Sequence, residues 1–470
     1  MKFLNSVRKI FRRKPLAASY ESAGTGRRLQ RWVGSQGSIN SVLLSDLETL
    51  QTRSRDAVRN NPYAANILDV LTTNAIGTGI KPQSLSKDKS KIDALWLAWT
   101  DEADADNQQD FYGLQSLILR GVIESGECFV RFKMKRDQAV PLQLQVLESE
   151  FLENETALLP NGNRLVGGIE LNPQGRRIAY HLHKTYPGDS SVEADDVVRI
   201  PASEILHIYK PLRPGQVRGE PWLARVLLKL HDLDQYDDAE LVRKKTTAMF
   251  AGFITRLDPE TSMMGEGDTN SAGQAFAGLE PGTMQFLEPG EDVRFSQPGD
   301  VGGTYQAFMS QQLRSVAVGM GITYEQLTGD LSGVNYSSIR AGLVEFRRRI
   351  SMIQHHLMVF QLCRPVWDRW FELAILNNQL LLNADPKVKW IPQGFDWVDP
   401  LKDIHAQVLS IQNGLRSRAE IVSERGYDVE DIDKEIAADN ERAKKLGLVF
   451  EYPSKIEKSE KEGDHETSDD

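Results

Sequence analysis

Between residues 337 and 380 the chain carries a pattern that a long helix satisfies and a strand does not. Ile339, Leu343, Phe346, Ile350, Ile353, Leu357 and Phe360 follow one another at spacings of 4, 3, 4, 3, 4 and 3. Such an a/d stripe stays on one side only if the backbone is helical. The opposite face carries Arg340, Glu345, Arg347, Arg348, Gln354 and His355. The pattern continues through Trp367, Trp370, Phe371 and Ile375 with Pro365 inside it. Proline removes a backbone donor and crowds the preceding turn, so a kink is expected at Gln361 to Arg364. A helix of roughly forty residues is long against the usual ~10–14.

The stretch before this helix is built differently. An apolar helix ends at Gly319 and Gly321, and a short turn carries Tyr324, Glu325 and Leu327. A loop follows: Thr328, Gly329, Asp330, Leu331, Ser332, Gly333, Val334, Asn335 and Tyr336. Gly329 and Gly333 are suited to positive φ, and Ser337 or Ser338 is the expected N-cap of the long helix. The loop holds no lysine or arginine. A loop that grips nucleic acid is expected to be basic, because phosphate contacts dominate that contact. One that guides a moving polymer is expected to be small and nearly neutral.

Upstream, Lys2, Arg8, Lys9, Arg12, Arg13 and Lys14 precede the first acid, Glu21. This basic arm reads as weakly structured to about residue 45. Helices are expected over Leu47 to Gly79, broken at Asn61-Pro62, and over Ile92 to Thr100 and Leu114 to Glu124. The period then switches to two at Cys128 to Lys133, Leu142 to Val146, Gly168 to Leu171 and Ile178 to His183. Pro211 to Pro221 is rich in proline and glycine and reads as a hinge. A helix from Pro221 to Met249 carries Leu223, Val226, Leu227, Leu230 and Leu233 on its apolar side. Arg243, Lys244 and Lys245 lie near its end, where cations oppose the helix dipole. Residues 251 to 303 read as a small β-containing module with strands at Gly252 to Arg256, Met284 to Leu287 and Val293 to Phe295. A helix over Tyr305 to Gly319 follows, with Phe308, Leu313, Val316 and Met320 apolar. After Leu382 an extended segment at Trp390 to Trp397 precedes helices from Asp399-Pro400, Arg418 to Glu424 and Val429 to Leu446. The tail from 451 to 470 is charged and expected to be disordered. The fold class is α+β.

The net charge of −10 argues against a broad basic grip on DNA. Cys128 and Cys363 are the only cysteines, so a disulfide framework is not expected. No apolar run reaches the ~18 residues of a spanning helix. No phosphate-loop motif and no strand-following G-x-G-x-x-G is found, so neither a nucleotide motor nor a cofactor is expected. His181 and His183 share a strand face without a third ligand nearby, and no metal site is expected. The Asp101 to Asp106 cluster lacks EF-hand spacing and reads as an acidic surface turn. Cys128, beside Ser125-Gly126-Glu127, reads as core.

The segments R-N-N-P-Y-A (Arg59 to Ala64), G-T-G-I-K-P (Gly77 to Pro82), R-P-G-Q-V-R-G-E-P-W-L (Arg213 to Leu223), A-G-F-I-T (Ala251 to Thr255), L-E-P-G-E-D-V (Leu287 to Val293), Y-E-Q-L-T-G-D-L-S-G-V-N-Y-S-S-I-R (Tyr324 to Arg340) and W-V-D-P-L-K (Trp397 to Lys402) occur in this order. With them the chain resembles the lambda-type phage portal proteins over about Leu47 to Gly447. The resemblance implies a subunit with an α/β wing (46–220), stem helices (221–250 and 304–320) flanking a clip (251–303), a tunnel-loop region (321–336), a long kinked wing helix (337–380) and a helical crown (381–450). It implies a homo-oligomeric ring, usually a dodecamer, at one vertex of a phage head. Double-stranded DNA would pass through the ring. The implied partners are the terminase large subunit, the major capsid protein and the head-completion or adaptor proteins, with no membrane. Assembly would take place in the bacterial host cytoplasm and the product would reside in the virion. Residues 328–336 would line the channel, with Arg243, Lys244 and Lys245 as stem candidates. Two other readings stand beside it. One is a minor capsid or tail component. The other is a nuclease using Asp101, Asp104 and Asp106 with a divalent metal.

Overall fold

Ser38 accepts the Ser41 N–H and starts the first helix, α1 (Ile39–Asn60), six residues before the expected end of the arm. Asn61 then serves twice. Its extended backbone ends α1, and its side chain accepts from Tyr63 and Ala64 to start α2 (Pro62–Ala75), with Pro62 at the first position. The structure is a computed structural model and describes residues 37–187, 196–248, 252–256, 291–295, 304–397 and 399–448. The arm to residue 36, the expected strand at Met284 to Leu287, the Gly/Ser/Asp-rich stretch 258–278 and the tail lie outside the described residues.

After α2 come β1 (Lys81–Ser84), α3 (Lys89–Thr100), α4 (Phe111–Ser125), β2 (Glu127–Lys133) and β3 (Gln143–Leu147). The strands β4 (Ala157–Leu158), β5 (Arg164–Val166), β6 (Ile169–Leu171), β7 (Arg177–His183), β8 (Val197–Pro201) and β9 (Ile205–Tyr209) follow. Two antiparallel sheets form, ordered β3-β2-β9 and β4-β5-β6-β7-β8. The three-stranded sheet lies between two cores, and the period of two shows why. Cys128, Val130, Leu144 and Ile208 face a large core shared with the helices. Phe129, Leu147 and Ile205 face a smaller core built on the five-stranded sheet with Ile169, Tyr180 and Ile200.

A 3-10 turn (Trp222–Arg225) leads into α5 (Leu227–Ala248). Next come the antiparallel pair β10 (Gly252–Arg256) and β11 (Glu291–Phe295), and then α6 (Thr304–Met320). The apolar residues expected on α5 are all buried, as are Leu313 and Val316 of α6. Phe308 is not: it is 44% exposed, with its ring 5.0 Å from Tyr236.

The chain continues through α7 (Tyr324–Thr328), α8 (Tyr336–Met352), a π-helical segment (Ile353–Cys363) and α9 (Arg364–Leu376). The a/d stripe holds through Phe346 and Ile350, then shifts. A π turn adds a residue per turn, so positions beyond Ile353 rotate relative to an α register. Gln354, expected on the polar face, is 3% exposed and donates to Ala75 O at 3.0 Å. Phe360, expected in the stripe, is 61% exposed, whereas Leu357 stays inside. At Gln361 to Arg364, where a kink is expected, the chain runs as π-helix to Cys363 and goes on as α-helix from Arg364, whose N–H bonds to Val359 O.

Finally β12 (Val388–Ile391) pairs with β1, and α10 (Pro400–Gln412), α11 (Arg418–Glu424) and α12 (Val429–Leu446) follow. Trp96 knots this end to the body. Its ring lies 4.8 Å from Trp99, 5.0 Å from Trp367 and 5.1 Å from Trp370. Lys89 also bridges to Asp428 and Glu430.

The shifted register makes a prediction about stability. Leu357→Ala should cost ~2–5 kcal/mol through the cavity it leaves. Gln354→Ala should cost ~1–3 kcal/mol, because buried carbonyls lose their donor. Phe360→Ala should stay within about 0.5 kcal/mol. Denaturant unfolding of the isolated chain reads all three, and a costly Phe360 with a neutral Gln354 would restore the unshifted stripe.

Candidate functional site: the helix root and the glycine loop

Two places concentrate polar geometry that packing alone does not require: the root from which α5 leaves the sheets, and the loop between α7 and α8. At the root, Glu127 opens β2 with its side chain fully enclosed. Arg218 Nε donates to its Oε1 at 2.6 Å. His207 Nε2 donates to Oε2 at 2.9 Å, and the Gly219 N–H donates there at 2.7 Å. Arg218 also donates to Gly167 O at 3.0 Å. Burial pushes the Glu127 carboxyl up, but Arg218, His207 and the Gly219 amide together hold it below its ordinary value. Burial pushes His207 down to about 4, with Arg177 and Arg218 adding to the effect. A neutral ring fits its geometry: Nε2–H faces the carboxylate, while the buried Nδ1 has no partner. The ring is sandwiched 4.5 Å from both Phe129 and Tyr209.

The proline-rich stretch 211–221 is therefore a tied strap and not a free hinge. Gln216 to Gly219 and Pro221 are buried. Gln216 Oε1 accepts from Leu212 N, Asn40 exchanges hydrogen bonds with Gly215 and Val217, and Tyr209 Oη donates to Gln216 O. Gly126 takes φ +92°, and a Cβ there would sit 2.4 Å from the Glu220 carbonyl carbon. A Cβ on Gly219 would sit 2.1 Å from Gly126 O. Two backbones touch where any side chain would part them. Sequence reasoning missed this cluster. Its available signal was charge inside apolar strands, Glu127 before C-F-V and His207 within I-L-H-I-Y.

From the root, α5 and α6 run side by side. Lys229 donates to Gln312 and Ser315, and Tyr236 stacks on Tyr305 at 5.9 Å. Of the basic trio, Arg243 pairs with Glu240 at 2.5 Å and Lys244 lies 5.2 Å over the Tyr305 ring. Lys245 is exposed.

The glycine loop is stitched by its own polar groups. A capping box between Thr323 and Gln326 starts α7, and Asn66 of α2 donates to the carbonyls of Gln326 and Leu327 at 2.8 Å. Thr328 closes α7, and its Oγ1 accepts the Asp330 N–H at 3.2 Å. Gly329 takes φ +71° as the C-cap. Gly333, expected to do the same, is not among the residues at positive φ. Asp330 Oδ1 accepts from Ser332 Oγ at 2.6 Å and Ser332 N at 3.0 Å, and these bonds lower the Asp330 carboxyl. Leu331 is 63% exposed and Val334 is partly covered. The N-cap of α8 is Asn335, which accepts from Ser338 N at 2.9 Å, and helix begins at Tyr336, so neither Ser337 nor Ser338 caps it. Nothing lies within 4 Å of a Cβ built on Gly333.

The acidic cluster is the expected turn, with Asp101, Glu102 and Asp106 exposed, except that one carboxylate is turned inward. Asp104 is 5% exposed, and its carboxylate accepts from the amides of Asp106, Gln108 and Gln109. Asp101 and Asp106 point to solvent. Among the described residues no group of three or more ligating side chains could hold a metal ion, and no helix is long and apolar enough to cross a membrane. His181 lies 3.4 Å from Glu170, which also binds Arg199 at 2.6 Å. Cys128 and Cys363 are both buried and unpaired.

Comparison with known proteins covers most of the chain. The family model described as phage portal protein, lambda family, matches residues 25–354. A probable portal protein of Halomonas phage phiHAP-1 is 28% identical over 94% of this chain and 90% of its own. Portal protein B of Escherichia phage lambda is 23% identical over 88% of each chain. Among solved structures, a neck of a native gene transfer agent particle computed with C12 symmetry is 15% identical, covers 86% of this chain and 98% of its own, and overlays with a TM-score of 0.46.

The root cluster makes two predictions. Glu127→Gln keeps the shape but strands the buried Arg218 cation, and should cost about 3–5 kcal/mol in denaturant unfolding. Acid should weaken the same site. The unfolded His207 binds a proton near its ordinary 6.5 and the folded one only near 4. The unfolded chain therefore holds the extra proton between those values, and this contribution to stability is whole above pH 6.5 and falls as pH drops toward 4. Glu127, also held low, adds a loss below its ordinary range of about 4. His207→Gln should flatten the upper part of a stability–pH curve, and an unchanged curve would remove His207 from the cause.

Proposed function

Because the chain belongs to the lambda family of phage portal proteins, its place is the portal ring of a virion, and we propose how its parts divide that work. Twelve copies close into a ring at one capsid vertex, assembled in the host cytoplasm and held by the major capsid protein. The two sheets with α1 to α4 form the wing. Helices α5 and α6 form the stem, and 251–303 forms the clip that docks the terminase large subunit and later the head-completion or adaptor proteins. The helices from α10 onward form the crown. Double-stranded DNA enters and leaves through the centre, past residues 328–336.

One observation carries this division. The wing and α5 are locked at Glu127, so a stem can project from the wing at a fixed angle. The loop adds support. It offers exposed Leu331 and a self-satisfied Asp330, and no cation to hold a phosphate. Each neutralised phosphate would add salt-dependent affinity and slow a sliding duplex. The net charge of −10 acts in the same direction. No chemistry is assigned to the chain.

The first test is an electron-microscope image of the purified full-length protein. Closed rings with a central channel are expected; open filaments or rings without a channel would favour a tail or minor capsid component. The second concerns the loop. Gly333→Trp should leave ring assembly intact, since space surrounds that position within the chain, but should block DNA packaging. Ser332→Lys should slow translocation more at low salt than at high salt, because screening shortens the reach of the added charge. Parent-like packaging by both variants would remove the loop from the channel.

A further inference from the structure

The edge of β3 is covered at one end and bare at the other. Leu144 N donates to Ala103 O at 2.7 Å and Leu144 O accepts from Ala105 N at 3.0 Å, so the backbone of this residue turns away from β2. Successive residues of an antiparallel strand alternate in the direction of their hydrogen bonds. With Val130 opposite Val146 and Phe132 opposite Leu144, the Val146 N–H and C=O turn the same way as those of Leu144. The loop that covers Leu144 does not follow the strand further, because its amides at Asp106, Gln108 and Gln109 are gathered onto Asp104. Among the described residues no backbone group meets Val146 on that side. What lies there is a cleft of about 450 Å³ between the β3 edge and α4. Leu114 and Leu117 give it an apolar wall, and Leu117 is 42% exposed. Its charges lean to the acidic side. Asp106, Glu124 and Glu148 line it together with Arg55 and Arg120. Arg55 is engaged by Glu148 and Glu150, and Arg120 by Asp69, so Asp106 and Glu124 form an ion pair with neither cation. Partial burial raises the Glu124 carboxyl, although Arg55 and Arg120 act against it.

An unpaired strand edge beside an apolar wall takes an extended segment as an added strand. We propose that this segment is the chain's own basic arm, with residues 7–14 laid along β3 at Val146 and their cations against Asp106 and Glu124. Three observations choose the arm. Residues 1–36 carry nine lysines and arginines against one acid, Glu21, in a chain whose net charge is −10. Residues 7–14 read V-R-K-I-F-R-R-K, which offers Val7, Ile10 and Phe11 to the apolar wall and Arg8, Lys9 and Arg12 to the carboxylates. Pro15 has no N–H to give a strand and closes the segment. The arm also starts within reach. Arg55, at the cleft, lies sixteen residues along α1 from Ile39, about 24 Å at 1.5 Å per residue. The chain between residues 14 and 39 can span about 80 Å when extended. This contact lies within one chain, so it stands or falls apart from the ring.

Zero-length crosslinking of the full-length chain tests it directly. Equal amounts of ¹⁵N-labelled and unlabelled chain are combined before assembly, treated with a water-soluble carbodiimide, and digested for mass spectrometry. Lys9 or Lys14 should be amide-linked to Asp106, Glu124 or Glu148 in peptides of a single isotope. Mixed-isotope links would seat the arm of a neighbouring copy there, and links elsewhere or none would leave the cleft without the arm; each result overturns the proposal. Protection of the arm lysines from acetylation only when DNA is added would assign the arm to nucleic acid and overturn it too. Hydrogen exchange gives a second reading. Removing residues 2–14 should speed exchange of the Val146 amide by about tenfold or more, as a strand edge opens to water, with the thermal midpoint of the rest unchanged. Leu117→Arg, which sets a cation in the cleft at a partly exposed position, should speed the same amide and abolish the crosslinks. The control Leu158→Arg, on β4 and 76% exposed, should do neither. Exchange at Val146 unchanged by both the deletion and Leu117→Arg counts against the site.

Discussion

A carboxylate shut away from water is tolerated only where its partners are in place, and Glu127 meets that condition through groups from two distant segments. His207 comes from β9, and Arg218 and the Gly219 amide come from the strap. If the strap moved away, a charge would be left bare inside the protein. The Gly126–Gly219 backbone contact fixes the approach from the other side. Because α5 leaves only a few residues beyond Pro221, the direction of the paired helices follows from the position of that one carboxylate. The root thus converts a sheet and a helix pair, each with its own apolar packing, into one rigid piece.

The features legible in the sequence are the local ones. The stripe of α8 is a local period and reads correctly to Ile350. Beyond it the reading fails at Gln354 and Phe360, because a change of backbone hydrogen bonding alters the period without changing the residues. Asn61, Asp399 and the Pro/Gly signals around them marked helix ends well. The pairing of β1 with β12 joins residues some three hundred positions apart, and nothing in either four-residue strand announces the other. The root cluster is hidden for the same reason: 127 and 207 meet through the pairing of β2 with β9, and 218 arrives from the strap. At the loop, composition foretold the absence of cations. It could not foretell that Asp330 would be occupied by Ser332, nor that Gly329 alone would need the left-handed conformation.

The loop is held between two posts. Asn66 pins the carbonyls at the end of α7 to α2, and Asn335 begins α8. Beyond that cap, Arg340 reaches Asp403 of α10 at 2.7 Å. The loop therefore shares its anchors with the body on one side and with the C-terminal helices on the other. Any displacement of α10 is felt at the first turn of α8, a few residues from the exposed Leu331.

The π segment has a consequence for how the chain tolerates changes in length. Each α-helical residue turns the chain by about 100°, so removing one residue from α8 would swing the glycine loop around the helix axis and break its hold on α2. The stretch from Ile353 to Cys363 already carries surplus residues relative to an α-helix of the same rise. A single-residue deletion there can be absorbed by tightening wide turns into ordinary ones, with both ends left where they are. The long helix thus has one place with slack, set between the tryptophan knot that anchors α9 and the loop that α8 must aim.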